Sequence, residues 1–263
     1  MTDPTETPLA TASTPDSPTT LVIDIGGTGL KASILDSGGA MLTDRVRIPT
    51  TYPCRPERLV AQLEQLVDPL PAFDRVAAGF PGVVRLGVIL SAPHFVTIHG
   101  PGSPDDKKLI AAWDRFDLGA ALTRSLGRPV RIINDADLQG LDVVTGAGVE
   151  VVITLGTGLG FSVFENGQLG PHLELAQHPF RKGGTYNERI GDAARKKIGN
   201  RRWNKRMRRV VATLDALTFF DHLYIGGGNA RHLTTDKLGS KVSVIDPNAG
   251  ILGGLKLWSS PVR

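Results

Sequence analysis

A glycine-rich stretch occurs twice in this chain, 129 residues apart, and the repetition restricts the fold more than any other feature. Residues 22–38 lie on residues 151–167 without a gap. Seven of the 17 pairs are identical, among them Gly27, Thr28, Gly29 and Leu30 against Gly156, Thr157, Gly158 and Leu159. Each copy reads as an apolar run (21–25 and 149–155), a Gly/Thr turn, a second apolar run (32–35 and 161–164) and a turn ending in glycine. Short apolar runs bounded by glycines predict strands, and a tight glycine turn between them predicts a hairpin. Unrelated hairpins can share that pattern. A duplicated domain, each copy offering a hairpin to one ligand, accounts for both the identities and the spacing. Backbone N–H groups at such a turn cradle anions, because a chain without Cβ atoms can approach a phosphate closely. Asp24 and Lys31 stand in the first copy only.

A chain of 263 residues can build two modest cores. The expected division is a disordered tail over 1–20, a first lobe over 21–132 and a second over 133–263. The tail is rich in Thr and Pro and too poor in apolar side chains to offset the entropy of ordering. It lacks the basic start and apolar core of a signal peptide. No apolar run approaches 18 residues, so no membrane span is expected. Cys54 is the single cysteine, which excludes an internal disulfide. A cytoplasmic protein is expected.

Strand and helix signals alternate along the rest. Helices are expected over 57–67, 117–126 and 135–147, two more within 185–220, and a closing helix over 249–258 that could pack back on the first lobe. Strands are expected over 74–80, 129–133, 221–225 and 242–245. Such alternation implies α/β sheets with ligands at the carboxyl ends of strands.

Three features converge on phosphoryl transfer. Asp24 ends the first strand just before Gly26, Gly27 and Thr28, where a carboxylate could hold Mg²⁺ while Thr28 and Lys31 donate to phosphate oxygens. Asn134 and Asp135 stand where a strand enters a helix. There the Asp could cap the helix, or accept the proton of a substrate hydroxyl that Asn134 orients. Gly226, Gly227 and Gly228 follow a strand and would let backbone pass close to a nucleoside. A P-loop signature is absent.

The segments DIGGTGLK (24–31), FPGVV (80–84), NDAD (134–137), LGTGLG (155–160) and IGGG (225–228) together resemble the ROK family of sugar kinases and regulators, most of all its polyphosphate glucokinases. The resemblance covers roughly 21–258. It implies a two-lobed α/β fold of the actin-like, hexokinase-like (ribonuclease H-like) kind, with duplicated domains and a ligand cleft between them. It makes Asp135 the base that deprotonates the 6-hydroxyl of glucose, or of mannose. Asn134 and Glu174 would bind sugar hydroxyls, with Gly82 at the sugar pocket. Gly27, Thr28, Gly156, Thr157 and Gly158 would hold the donor phosphates, with Mg²⁺ beside Asp24. A homodimer is also implied. One segment departs from the family pattern: Glu-x-Gly-His is expected, and residues 174–177 read Glu-Leu-Ala-Gln, with His178 following. Members that bind zinc use that His with three cysteines, so no zinc is expected here. Gln177 can hydrogen-bond a sugar but cannot become charged, and His178 could substitute after a local shift.

Charge bears on the donor. Residues 181–209 hold twelve Lys and Arg, including Arg201, Arg202, Lys205 and Arg206, against Glu188 and Asp192. That is a local net of +10 in a chain whose total is +4. Charge runs are commonly solvated helix faces, but like charges at this density destabilise the fold unless an anion compensates. Polyphosphate, with one charge per unit, would lie along such a tract as nucleic acid lies in a basic groove. A strictly ATP-dependent hexose kinase is the alternative. A sugar-responsive regulator would carry a helix-turn-helix ahead of the first hairpin, where only the short tail stands. Nucleic-acid binding is disfavoured because only Tyr186 and Trp203 could stack bases near the tract.

Overall fold

Each glycine turn closes an antiparallel hairpin, and each hairpin sits in a five-stranded sheet. The computed structural model describes residues 17–245 and 251–260. Its first half runs β1 (Thr20–Ile25), β2 (Leu30–Leu35), β3 (Val46–Ile48), α1 (Pro56–Val67) and β4 (Arg75–Phe80). It continues through β5 (Val84–Arg85), β6 (Val88–Ile89), α2 (Lys107–Trp113), α3 (Leu118–Leu126) and β7 (Val130–Asn134). The second half starts with α4 (Asp135–Val143), β8 (Val149–Leu155), β9 (Leu159–Glu165) and β10 (Gln168–Leu169). After it come β11 (Pro179–Arg181), β12 (Gly184–Thr185), α5 (Tyr186–Ile190), α6 (Asp192–Ile198), α7 (Asn200–Thr218), β13 (His222–Gly226), β14 (Val242–Val244) and α8 (Gly253–Ser259).

The sheet orders are β3-β2-β1-β4-β7 and β10-β9-β8-β13-β14. They match strand for strand, with β4 and β7 parallel to β1 as β13 and β14 are to β8. The architecture is the two-lobed α/β arrangement expected from the duplication. Because side chains alternate across a strand, each sheet serves two cores. Leu21, Ile23 and Ile25 pack with Phe80, Phe95 and Trp113 in the first half, and Val151, Ile153 and Leu155 with Trp203 and Met207 in the second. The opposite faces present Val22 and Val152 to a third cluster, completed by Leu138 and Leu141 of α4 and Leu257 of α8. Both helices therefore lie between the sheets.

Register corrects the gapless repeat. The last pair before the first turn is Ile25 with Leu30, and before the second it is Leu155 with Leu159. Four residues make the first turn and three the second. Gly26 is the extra one; its N–H reaches Gly29 O at 3.1 Å, as Gly156 N–H reaches Gly158 O at 3.0 Å. The 129-residue shift therefore holds for β2 and β9, whereas β1 and β8 correspond one residue further on. The cores agree, pairing Val22 with Val152 and Ile23 with Ile153. A one-residue slip would exchange the two faces of the strand.

Three helices, not two, fill 185–220, broken at Gly191 and at Gly199, whose φ of +78° suits glycine. Helix α4 stops at Val143 rather than 147. The buried Glu150 carboxylate accepts from the N–H groups of Thr145, Gly146 and Ala147 at 2.8, 2.7 and 3.2 Å, so these residues wrap around it instead of continuing the helix. Sequence periodicity did not reveal α2, which is only seven residues long and is capped by Asp106. Of the tail, residues 1–16 lie outside the described residues. Thr19 is tied to Asp74 through its N–H and its hydroxyl, both at 2.8 Å, and Thr20 already belongs to β1. Residues 249 and 250 of the expected closing helix also lie outside them. Helix α8 rests on β1, β4 and α4, and Arg131 Nη1 donates to Leu257 O at 2.8 Å. Among the described residues no helix is long and apolar enough to cross a membrane.

Candidate active site

Strand β7 ends where α4 begins, and the junction separates two tasks. Asn134 caps the helix: its Oδ1 accepts from the N–H of Ala136 at 2.8 Å and of Asp137 at 3.2 Å, while Nδ2 donates to Gly82 O at 3.0 Å. The capping role considered for Asp135 is thus filled by its neighbour. Asp135 takes the first helical position, its Oδ1 accepting from Ala136 N–H at 2.9 Å. Burial pushes its carboxyl up to about 7, the charge of Asp24 adds to the rise, the Ala136 bond opposes it, and Asp137 and Glu174 contribute further. Two bare glycines admit this end of α4 between the sheets. A Cβ on Gly79 of β4 would stand 3.2 Å from Asp135 Cα, and one on Gly160 of β9 would strike Thr154 Oγ1 and stand 2.9 Å from Ala136 Cβ.

Asp135 lies on the wall shared by two chambers. One is lined by Asp24, Lys31, Arg45, Asp135, Gln139, Thr154, Gly156, Gly227 and Gly228. The other is lined by Gly26, Gly27, Thr28, Gly82, His94, Asn134, Asp135, Thr154, Gly156, Thr157, Gly158, Glu174, Gln177 and Asn187. Nearly all the residues singled out in the sequence are thereby brought together. In the first chamber Asp24 and Lys31 face each other across the hairpin, Lys31 Nζ donating to Asp24 Oδ2 at 2.8 Å. Gly227, at φ +82°, crosses so close to Leu155 backbone that a Cβ would collide with it. Gly226 is buried behind it. His178 does not line either chamber; its exposed ring lies 6.2 Å from that of Tyr186. The first turn is fixed by Thr50 Oγ1 and Tyr52 OH, which donate to Gly26 O and Gly27 O at 2.7 Å each. The second is fixed by Asn229 Nδ2 on Gly156 O at 2.9 Å and by Asn187 Oδ1, which accepts Leu159 N–H at 3.1 Å.

Sequence reasoning missed Thr154, Asn187, Arg45, His94 and His172. His94 packs against Gly27, and burial lowers its pKa against the opposing pull of Glu174. His172 bridges two carboxylates, Nδ1 with Asp137 Oδ2 at 3.0 Å and Nε2 with Glu174 Oε1 at 3.1 Å. Burial alone would lower it, but the two carboxylates override that and push it up to about 10. No local pattern marks His172, because its partner Asp137 stands 35 residues away.

The basic run is split by α7. Trp203, Met207 and Val210 point into the core, which leaves Arg201, Arg202, Lys205 and Arg208 lining an exposed groove at the α6–α7 joint. Arg206 turns the other way, donating from Nη1 to Arg189 O at 2.7 Å, with its pKa lowered by burial and by Arg181 and Arg189. Arg231, His232 and Lys237 extend the groove on a separate segment. A hydrogen-bonded path joins it to the second turn: Asn229 holds Gly156 O, Arg195 Nε donates to Asn229 Oδ1 at 3.1 Å, and Arg195 Nη1 donates to Asn200 Oδ1 at 3.1 Å.

The chain is similar to the polyphosphate glucokinase of Mycobacterium tuberculosis (strain CDC 1551 / Oshkosh), 31% identical over 80% of this chain and 77% of that one. It is also similar to the polyphosphate glucokinase of Mycobacterium leprae (strain TN), 27% identical over 95% and 77%. Among solved structures, the inorganic polyphosphate/ATP-glucomannokinase of Arthrobacter sp. strain KM superposes with a TM-score of 0.77 at 30% identity, covering 90% of this chain and 97% of that one. A ROK family glucokinase from Streptomyces griseus, solved with glucose and AMPPNP, shares the fold with a TM-score of 0.70 at 18% identity, over 91% and 98%. The profile described as ROK family matches residues 20–171, more than half of the sequence. With the duplicated sheets and the site between them, that match establishes that the chain belongs to the ROK family.

Proposed function

We propose that this protein is a sugar kinase that transfers a phosphoryl group from inorganic polyphosphate, and also from ATP, to the 6-hydroxyl of glucose or mannose. The observation that carries the reading is Asp135, a carboxyl raised to about 7 on the wall shared by two chambers. A general base works best with a pKa near the operating pH. A sugar in the chamber of Gly82, Asn134, Glu174 and Gln177 would present its hydroxyl to Asp135. A phosphate chain gripped by the two glycine turns would meet it from the other side. Lys31 and Arg45 supply positive charge along the donor chamber. The names of the similar proteins support polyphosphate as donor, and the groove of Arg201, Arg202, Lys205 and Arg208 offers a long chain a course out of the cleft.

The donor set fits a cation carried by phosphates rather than one caged by protein. Among the described residues no group of three or more His, Cys, Asp or Glu could hold a metal, while the Asp24 carboxylate lies 43% exposed in the donor chamber. Mg²⁺ bound there with phosphate oxygens would offset the charge on the transferred group.

Assays with glucose and mannose, each with polyphosphate and with ATP, test the reading. Sugar phosphorylation with polyphosphate is expected, with kcat/KM falling as pH drops through about 7, where Asp135 takes up a proton. Asp135→Asn should cut kcat by about 10²–10⁴ while leaving sugar KM nearly unchanged. Turnover with ATP alone would make it a strictly ATP-dependent kinase, and sugar binding without turnover would make it a regulator.

A further inference from the structure

His172 belongs to neither glycine turn and lines neither chamber, yet it touches both elements that define the sugar side of the site. We propose that His172 is a positioning residue: anchored to α4 through Asp137, it fixes the carboxylate of Glu174 relative to Asp135 and so sets the affinity for the sugar. The inference rests on the sugar-kinase reading above.

The anchor is rigid. Asp137 lies two residues beyond Asp135 on the same helix, its side chain is 6% exposed, and its N–H is held by the Asn134 cap. Glu174 is the opposite case. It sits in the loop ahead of the short 3₁₀ helix Leu175–Gln177, its side chain is 33% exposed, and such a side chain loses rotamer freedom when it is ordered. The His172 ring joins the two. Both of its nitrogens face carboxylate oxygens, and although burial raises the Asp137 carboxyl, the two carboxylates push the ring up to about 10, which favours the imidazolium that donates to both. Hydrogen bonds between ionised partners are about twice as strong as neutral ones. The bond to Oε1 restrains the carboxylate of Glu174, a residue that lines the sugar chamber. The surrounding charges support the arrangement. His94, also near Glu174, has its pKa lowered by burial and so does not compete as a cation at neutral pH. Arg85 lines the cavity behind Asp137 and His172. Asp137 Oδ1 is buried without a partner, so the Oδ2 bond to His172 is the contact that compensates this carboxylate.

A purely structural His172, needed only to neutralise Asp137, would affect stability and leave the sugar alone. A double-mutant cycle separates the two roles. In His172→Gln a single amide nitrogen cannot span both carboxylates. The sugar KM should rise about tenfold, equivalent to about 1.4 kcal/mol, with donor KM within about twofold of wild type. In a Glu174→Gln background the same substitution should add less than about twofold. Asp137→Asn, which keeps its volume, should raise sugar KM in the same direction and serves if His172→Gln does not fold. Calorimetric titration with glucose reads the cycle without turnover. Equal effects in both backgrounds, or a lower Tm with unmoved sugar affinity, would overturn the assignment. A wild-type protein that phosphorylates no hexose would overturn the kinase reading instead, while the titration still decides the role of His172.

Discussion

The two hairpins have the same fold and different chemistry. Aligned by register, Asp24 corresponds to Thr154 and Lys31 to Gly160, because Ile25 and Leu155 are the matching last residues before each turn. In the first hairpin Lys31 reaches across to Asp24 at 2.8 Å. In the second there is no space for such a side chain, since even a Cβ on Gly160 would meet Thr154 and Ala136. The reason is α4. It enters between the sheets carrying Asp135, and its first turn takes the volume that a lysine on β9 would need. The asymmetry is therefore more than loss of a residue from one copy. Bringing a base to the seam required one hairpin to give up its bulk, and the cation and carboxylate remain on the other.

That comparison is most exposed at its matched pair. Asp24→Ala should lower kcat by at least about 10²-fold with every donor, the scale of removing one preorganised electrostatic group. Thr154→Ala, at the corresponding position, should cost less than about tenfold. Parallel measurements of kcat with polyphosphate and ATP check this, and equal losses would mean that the two hairpins share the chemistry evenly.

The hairpins also differ in what lies beyond them, since among the described residues it is the second that is joined through Asn229 and Arg195 to the basic groove. Replacing Arg201, Arg202, Lys205 and Arg208 together by Gln should raise KM for long polyphosphate about tenfold and KM for ATP less than twofold, because a short donor stays between the turns. The dependence of polyphosphate KM on salt should flatten as well, since fewer counterions are released on binding. Equal changes for both donors would return the run to an ordinary solvated helix face.

Much of this was legible because the strands obey strong local rules. The apolar runs bounded by glycines were read correctly, Asn134 and Asp135 were legible as a polar pair where a strand enters a helix, and Glu174 entered through the resemblance to the ROK family. What escaped depends on distance in the sequence. The extra residue at Gly26 is invisible to a gapless match, because the identities of the Gly-Thr-Gly-Leu block outweigh a one-residue slip in an apolar run where any register looks hydrophobic. The early end of α4 depends on Glu150, whose role as a carboxylate hub for 145–147 has no periodic signature. Arg206 looked equivalent to Arg202 and Lys205, but α7 turns it toward Arg189 while Arg208 faces the groove. His172 could be found only once Asp137 and Glu174 were placed on either side of it.

The smallest expected effect tests whether packing really explains the missing lysine. Gly160→Ala adds one methyl group, which would stand 2.9 Å from Ala136 Cβ and closer still to Thr154 Oγ1. A contact that close cannot be kept, so either Thr154 rotates or the start of α4 moves. Overpacking of this kind costs about 1–3 kcal/mol, and each kcal/mol lowers Tm by about 2–4 °C in a chain of this size. Because Asp135 adjoins Ala136, a displaced helix start should also reduce kcat more than it raises sugar KM. Lys31→Ala is the stability control at the matching position: its ion pair is about a third to two-fifths exposed and worth no more than about 1 kcal/mol, so Tm should fall less than in Gly160→Ala. Thermal unfolding of both variants, read beside the kcat of Gly160→Ala, decides the matter. If Gly160→Ala left Tm and kcat at wild-type values, the second hairpin would have room to spare, and crowding by α4 could not be why lysine is confined to the first.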